Sequence, residues 1–247
     1  MESSHRFDFA RVFVPKASDV LAERLREHIL SGGYAEGTPL PTERELVAQS
    51  GLSRASVREA LRVLEVEGLI ETRPGRNGGS VVRRPGHESV SRSVELFLRS
   101  HGIRFEALLE TREAIEPATA RLAAVHRTDA DLAELRKLHQ ALEVAFDNVA
   151  QFVRVNLEWH MTVVGASHNE PLIAFMKAIS QPLHAATEIE SLNTDDVRHA
   201  VIKAHQRVFE AISDRDSETA ARRMQRHVGA YADLVRDLAA ANGRTKP

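Results

Sequence analysis

The 247-residue chain contains no cysteine. Disulfides, thiolate metal sites and cysteine nucleophiles are therefore excluded, and such usage suits a cytoplasmic protein. Aromatic residues are scarce, at 5%, with a single tryptophan. That shortage, beside abundant Ala, Leu, Glu and Arg, argues for helix over a β-sandwich. No apolar run approaches the roughly 18–20 residues that cross a bilayer, so no membrane partner is expected. The opening MESSHRFDFA has early acidic residues and no continuous apolar stretch, so no signal peptide is read there. A charge excess of one sign is also missing: 33 Lys+Arg stand against 35 Asp+Glu, a net charge of −2. A basic coat over the whole molecule is excluded; a local one is not.

Hydrophobic residues make up 43% and charged residues 28%, a folded composition. Residues 1–17 show no period and read as a leader. Ser18 then reads as the cap of a helix to about Leu30, with Leu21, Leu25 and Ile29 on one stripe and Gly32-Gly33 as its stop. Gly37-Thr38-Pro39-Leu40-Pro41 reads as an extended connector. Thr42 and Glu45 have capping-box spacing and open a short helix to about Ser50. Gly51 makes a turn, and a third helix runs from about Arg54 to Glu67. Leu69–Arg73 and Ser80–Arg83 look like two strands around a Pro/Gly-rich tip. After Pro85-Gly86 the pattern is helical almost throughout. Breaks fall near Gly102, Arg127–Asp129, Asn148, Asn169–Pro171, Asn193–Asp195 and Ser213–Asp216. The fold class is therefore mainly α: a winged helix-turn-helix with a small β-hairpin at 18–84, then an all-α bundle of six or seven helices at 88–241.

The third helix carries the first chemistry. At about 100° per residue, Val57, Leu61 and Leu64 fall on one side, and Arg54, Arg58 and Arg62 step along the other. Arginine's planar fork can bind guanine edges bidentately, or phosphates. Ser53 and Ser56, near the helix start, can donate to phosphate, and Arg44 opens the helix before it. The tip carries Arg73, Arg76 and Gly78, so a basic backbone can approach a groove closely. From Arg54 to Arg84 there are seven basic residues and four acidic ones. The plain alternative is a solvated helix face shared with Glu59, Glu65 and Glu67. The combination of basic helix, tight turn and basic tip favours DNA.

The string LPTERELVAQSGLSRASVREALRVLEVEGLIETRPGRNGGSVV resembles the winged helix of the GntR family of bacterial transcription regulators. The resemblance covers residues 18–84 and implies DNA contacts at Arg44, Arg54, Ser56, Arg58 and Gly78. It assigns base reading to Arg54 and Arg58.

The helical half has its own constellation. Asn156 and His160 lie four apart on a helix with Phe152, Val155, Trp159 and Val163 nearby, so they project about 40° from each other. His205 and His227 sit on separate later helices. Three imidazoles and one oxygen ligand make a reasonable cage for a divalent metal, with Zn²⁺ suited by ligand type and Ni²⁺ or Mn²⁺ as alternatives. His28, His126, His139 and His199 read as surface residues. The segments Thr111–Pro117, Asn156–His160 with Ser167–Asn169, and His205–Ile212 with Met224–His227 resemble the FCD ligand-binding domain, which marks the FadR subfamily. There the first metal ligand is usually Asp; here it is Asn156, which puts occupancy in question. The resemblance places Arg112 against the effector, where it would clamp a small organic acid. The alternative for Arg112 is a pair with Glu116 at i+4.

Together these readings imply a homodimeric repressor on a palindromic operator, its affinity set by a carboxylate effector near a metal. One rival is an effector-independent DNA-binding dimer. The other is a metal-dependent hydrolase, for which Glu158 is badly placed as a base, two residues from both Asn156 and His160.

Overall fold

In the computed structural model, residues 14–73, 79–187 and 193–243 are described. The chain divides into two compact units, Met1–Ser89 and Val90–Pro247.

The first unit holds α1 (Ala17–Leu30), α2 (Glu43–Ser50), α3 (Arg54–Val66) and an antiparallel pair, β1 (Ile70–Arg73) and β2 (Gly79–Val82). Its core is Leu21, Leu25 and Ile29 of α1, Leu46 of α2, and Val57, Ala60, Leu61 and Leu64 of α3, closed by Leu69, Ile70 and Val82. Ser18 does not cap α1. The helix begins at Ala17 after Lys16, without a side-chain cap, and Ser18 is buried. The reason is periodic: Ser18, Leu21, Leu25 and Ile29 share one stripe, and that stripe is the face that packs. Thr42 does form the expected capping box. Its Oγ1 accepts from Glu45 N, and the Glu45 carboxylate accepts from Thr42 N at 2.8 Å.

Gly51 ends α2 at φ 70°, a left-handed conformation that costs glycine little, and this sets the tight turn into α3. At the end of α3, Gly68 also has positive φ. Gly68 N donates to Glu65 O and Leu69 N to Leu64 O, a Schellman closure that seats Leu69 in the core. β1 starts one residue later than expected and β2 lies one residue earlier, with Ile70 paired to Val82 and Arg73 to Gly79. The connector 37–41 is more than a spacer. Gly37 N donates to Val82 O, Val82 N to Thr38 O, and Leu40 N to Ser80 O, so the connector covers the free edge of β2.

The second unit is helical among its described residues. It comprises α4 (His87–His101) from Val90 onward, α5 (Phe105–His126), α6 (Asp129–Val144), α7 (Val149–Gly165), α8 (Glu170–Thr187), α9 (Asp195–Ser213) and α10 (Ser217–Gly243). Five of the expected breaks are N-caps, among them Asn169, whose Oδ1 accepts from Leu172 N at the start of α8. Thr128, Asn148 and Thr194 accept from backbone N–H groups of α6, α7 and α9, and Asp216 accepts from Thr219 N at the start of α10. One core gathers Ala120, Ala123 and Ala124 of α5, Leu135 and Leu142 of α6, Trp159 and Val163 of α7, Val208 and Ile212 of α9, and Met224 and Val228 of α10. A second joins Leu108, Leu109, Val164, Met176, Ile179 and Ala232. The small alanines of α5 let its neighbours approach closely, so side chains from α5, α7, α9 and α10 can meet at one point. Among the described residues, no helix is long and apolar enough to cross a membrane.

Candidate functional site

On α3 the buried face is Val57, Ala60, Leu61 and Leu64, and Arg54, Arg58 and Arg62 are all exposed. Arg44 is exposed on α2. Ser53 caps α3: its Oγ accepts from Ser56 N at 3.1 Å and lies 3.0 Å from Ser56 Oγ. The serines therefore shape the helix start, where free backbone N–H groups can also meet an anion. Arg58 Nε donates to Glu43 Oε2 at 2.9 Å, an exposed pair that fixes the side chain only weakly. Arg73 lies on β1, and Arg83 pairs with Glu71 across the sheet. Arg76 and Gly78 lie outside the described residues.

In the second unit, the Nε2 atoms of His160 on α7, His205 on α9 and His227 on α10 form a triangle. Their separations are 3.3 Å for His160–His205, 3.1 Å for His205–His227 and 3.1 Å for His160–His227. Two imidazole nitrogens about 2.0–2.1 Å from one ion at a tetrahedral angle stand about 3.3 Å apart. The triangle therefore has the dimensions of a ligand set, and these three nitrogens can hold a metal ion. Burial pushes all three imidazoles below their ordinary pKa, His205 and His227 well below it. They are neutral near pH 7, the form that binds metals.

Each ring is held. The Trp159 indole stacks on His205, ring centres 3.7 Å apart, and stands edge-on to His160. His160 Nδ1 lies 2.6 Å from Glu116 Oε2. An ionised carboxylate only accepts, so Nδ1 carries the proton and Nε2 presents its lone pair to the triangle. Burial alone would raise the Glu116 pKa, but Arg112 and His160 outweigh it and hold the carboxyl at about 2. Arg112 Nε donates to Glu116 Oε1 at 2.5 Å, and Arg112 Nη2 lies 2.7 Å from His160 Nε2. Arg112 thus makes the i+4 pair with Glu116 that was the alternative reading, and it also faces the histidines.

Asn156 sits one turn before His160, and its Oδ1 is buried without a hydrogen-bond partner among the described residues. So is the Tyr231 hydroxyl, whose pKa burial pushes up to about 12. Arg112, Asn156, His227 and Tyr231 border a hollow of about 30 Å³. Beside it, α9 and α10 flank a groove of about 520 Å³. Its walls include Val197, Val201, His227 and Tyr231, with Arg207, Arg223 and Arg226 along it.

Two features escaped the sequence. Glu116 was legible only as a partner for Arg112, whereas the structure adds His160. His139 is buried rather than on the surface, 9% exposed, because it falls on the inner stripe of α6 with Leu135, Leu138 and Leu142. Glu158 points outward and pairs with Arg154, so it is no base for the triangle.

Comparison with known proteins follows the same division. A family model described as bacterial regulatory proteins, gntR family, matches residues 17–80. A model described as FCD domain matches residues 107–230. The HTH-type transcriptional repressor NanR of Klebsiella aerogenes is 30% identical over 90% of this chain and 86% of its own. The Glc operon transcriptional activator of Escherichia coli K12 is 27% identical over 89% of each. A solved structure, Streptococcus agalactiae GntR, superposes with a TM-score of 0.67 at 24% identity, over 88% of this chain and 99% of that one. This last likeness concerns the fold.

Proposed function

Because the chain belongs to the GntR family of bacterial regulatory proteins and carries an FCD domain, we propose that it is a metabolite-responsive transcription regulator in which a small carboxylate, bound beside a divalent metal, sets DNA affinity. DNA binding by the helix-turn-helix and a regulatory rather than enzymatic role come with the family. The finer assignments rest on the exposure of Arg44, Arg54 and Arg58 and, for Arg76 and Gly78, on the sequence alone. Arg54 and Arg58 read bases from α3, Arg44 combines base and phosphate contact, the α3 start at Ser56 engages phosphate, and Arg76 and Gly78 approach the minor groove. The protein acts as a cytoplasmic homodimer on an inverted repeat, because one copy of α3 reads a single half-site.

The observation that carries the sensing role is the convergence of three neutral histidine nitrogens with a buried guanidinium at one point of the bundle. His160, His205 and His227 would hold the metal, with the unpartnered Asn156 Oδ1 as a fourth donor. Zn²⁺ suits three imidazoles best, with Ni²⁺ and Mn²⁺ as the alternatives. When bound, the ion supplies an electrophilic centre for a carboxylate oxygen. Arg112 orients the acid through its fork, and Tyr231 offers a neutral O–H. The groove between α9 and α10 supplies volume that the 30 Å³ hollow lacks, and Arg207, Arg223 and Arg226 favour an anion on the way in.

An effector alters DNA affinity only through its different affinity for two arrangements of the dimer. Repression is the proposed sign, and NanR supports it as a repressor among the relatives. The test is a gel-shift titration on the DNA upstream of the protein's own gene, with metal present and a panel of two- to six-carbon acids. One acid is expected to shift the affinity, and the shift is expected to vanish in His205→Ala. If no acid or metal changes either DNA affinity or melting temperature, the bundle is a dimerisation device only.

A further inference from the structure

The guanidinium of Arg112 stands where a metal-bound histidine cannot accept it. His160 Nε2 has a single lone pair once Nδ1 carries the proton that Glu116 accepts. Arg112 Nη2, 2.7 Å away, donates to that lone pair. The same lone pair must point at an ion if the triangle binds one. The two uses are mutually exclusive.

The charges point the same way. Arg112 contributes one positive charge, Glu116 one negative charge, and the three imidazoles and Asn156 none. The buried set is balanced as it stands. A divalent ion would leave two uncompensated positive charges in a largely buried site, and neutral Asn156 offsets neither. An incoming carboxylate would offset one of them.

We propose that Arg112 is a resident placeholder for the metal: its Nη2 occupies the His160 lone pair in the metal-free protein, and metal loading releases that donor to bind a carboxylate. This rests on the metal reading above and adds its regulation. Metal and acid then load as a coupled pair. The freed Nη2 needs a new acceptor, and among the described residues the neighbouring Tyr231 hydroxyl and the Asn156 amide carry no competing charge. The 30 Å³ hollow they share with Arg112 adjoins the groove through His227 and Tyr231. An arriving carboxylate takes the released donor and reduces the excess charge together. By linkage, each ligand must tighten the other by the same factor.

Two measurements on the full-length protein test this. In the first, chelator-stripped protein is titrated with Zn²⁺ against a competing chelator, with and without acetate as the probe anion. Wild type is expected to bind Zn²⁺ more tightly with acetate. Arg112→Met is expected to bind Zn²⁺ about ten-fold or more tightly without acetate, since a hydrogen bond to a charged donor no longer competes, and to show a smaller acetate effect. Equal affinity in the two proteins overturns the placeholder and leaves the metal site standing. No Zn²⁺ binding in either protein, or binding unaffected by His205→Ala, overturns the metal reading itself.

The second measurement needs no substitution. In protein labelled with ¹⁵N at arginine and histidine, the scalar coupling across the Arg112 Nη2–His160 Nε2 hydrogen bond is expected without metal and lost when Zn²⁺ is added. Coupling that persists in Zn²⁺-loaded protein overturns the proposal.

Discussion

Glu116, a carboxylate 1% exposed inside the bundle, decides which nitrogen of His160 carries the proton. Replacing it by glutamine keeps the shape but removes the charge that holds the tautomer and partners Arg112. Zn²⁺ affinity is expected to fall about 10–100-fold in Glu116→Gln, the usual cost of losing a carboxylate behind a ligating histidine. Competition titration reads this, and an unchanged affinity contradicts the orienting role. Trp159 acts by packing, with its indole flat on His205 and no exposed surface. Trp159→Ala is expected to cost about 3–5 kcal/mol in urea unfolding, mostly as cavity. At this scale the grouping of His160, His205 and His227 was legible. Asn156 and His160 announce a shared face by their four-residue spacing, and His205 and His227 by their surrounding segments. The Glu116–His160 contact was not, because it joins residues 44 apart whose meeting depends on how α5 and α7 pack. His139 misled for a related reason: an ionisable residue on an amphipathic helix is placed by the stripe it falls on.

Polar caps set the boundaries of the elements, which is why the helix breaks could be read in advance. Thr128 and Asp131 form a capping box at the start of α6: Thr128 Oγ1 accepts from Asp131 N, and the Asp131 carboxylate accepts from Thr128 N at 2.7 Å. Thr128→Ala is expected to cost about 1 kcal/mol. The box has a pH signature. Burial pushes the Asp131 carboxyl up, but hydrogen bonds from Thr128 and His168 outweigh it, so its pKa is lowered in the folded state. A lowered carboxyl contributes stability above its unfolded value, about 3.9, and loses it as pH falls through the folded value. The stability gap between wild type and Asp131→Asn is therefore expected to be full at neutral pH and to narrow below about pH 4. A gap that widens there contradicts the cap. Elements resisted prediction where backbone pairing replaced side-chain pattern. The Gly37–Pro41 connector, with two prolines and no alternation, gives no strand signal, yet its free N–H and C=O groups satisfy the edge of β2. Ser18 looked like a cap only because the first residue of the buried stripe happens to be polar.

For the molecule as a whole, the change after Pro85-Gly86 from hairpin to nearly unbroken helix separates a DNA-reading unit from a helical one. The two halves use different periods, 2 in the strands and 3.6 in the helices. Metal should stabilise the native chain, because a preformed triangle exists only when it is folded. Removing Zn²⁺ held at a hundred times its Kd is expected to lower stability by about 2.7 kcal/mol, seen as a fall in Tm with chelator. DNA affinity is expected to fall linearly with salt on logarithmic axes, with a slope that reports the phosphates neutralised.

The central claim is that exposed arginines on α3 read a duplex. Selection of bound sequences from random duplex DNA tests it most directly, run in parallel with wild type and Arg54→Ala/Arg58→Ala. The variant loses only exposed side chains and one surface ion pair, so its helix content should match wild type. Wild type is expected to enrich an inverted repeat, and the variant to bind that repeat at least about ten-fold more weakly, since each bidentate base contact contributes about 1–3 kcal/mol. Recovery of the same repeat by both proteins with equal affinity would contradict the account.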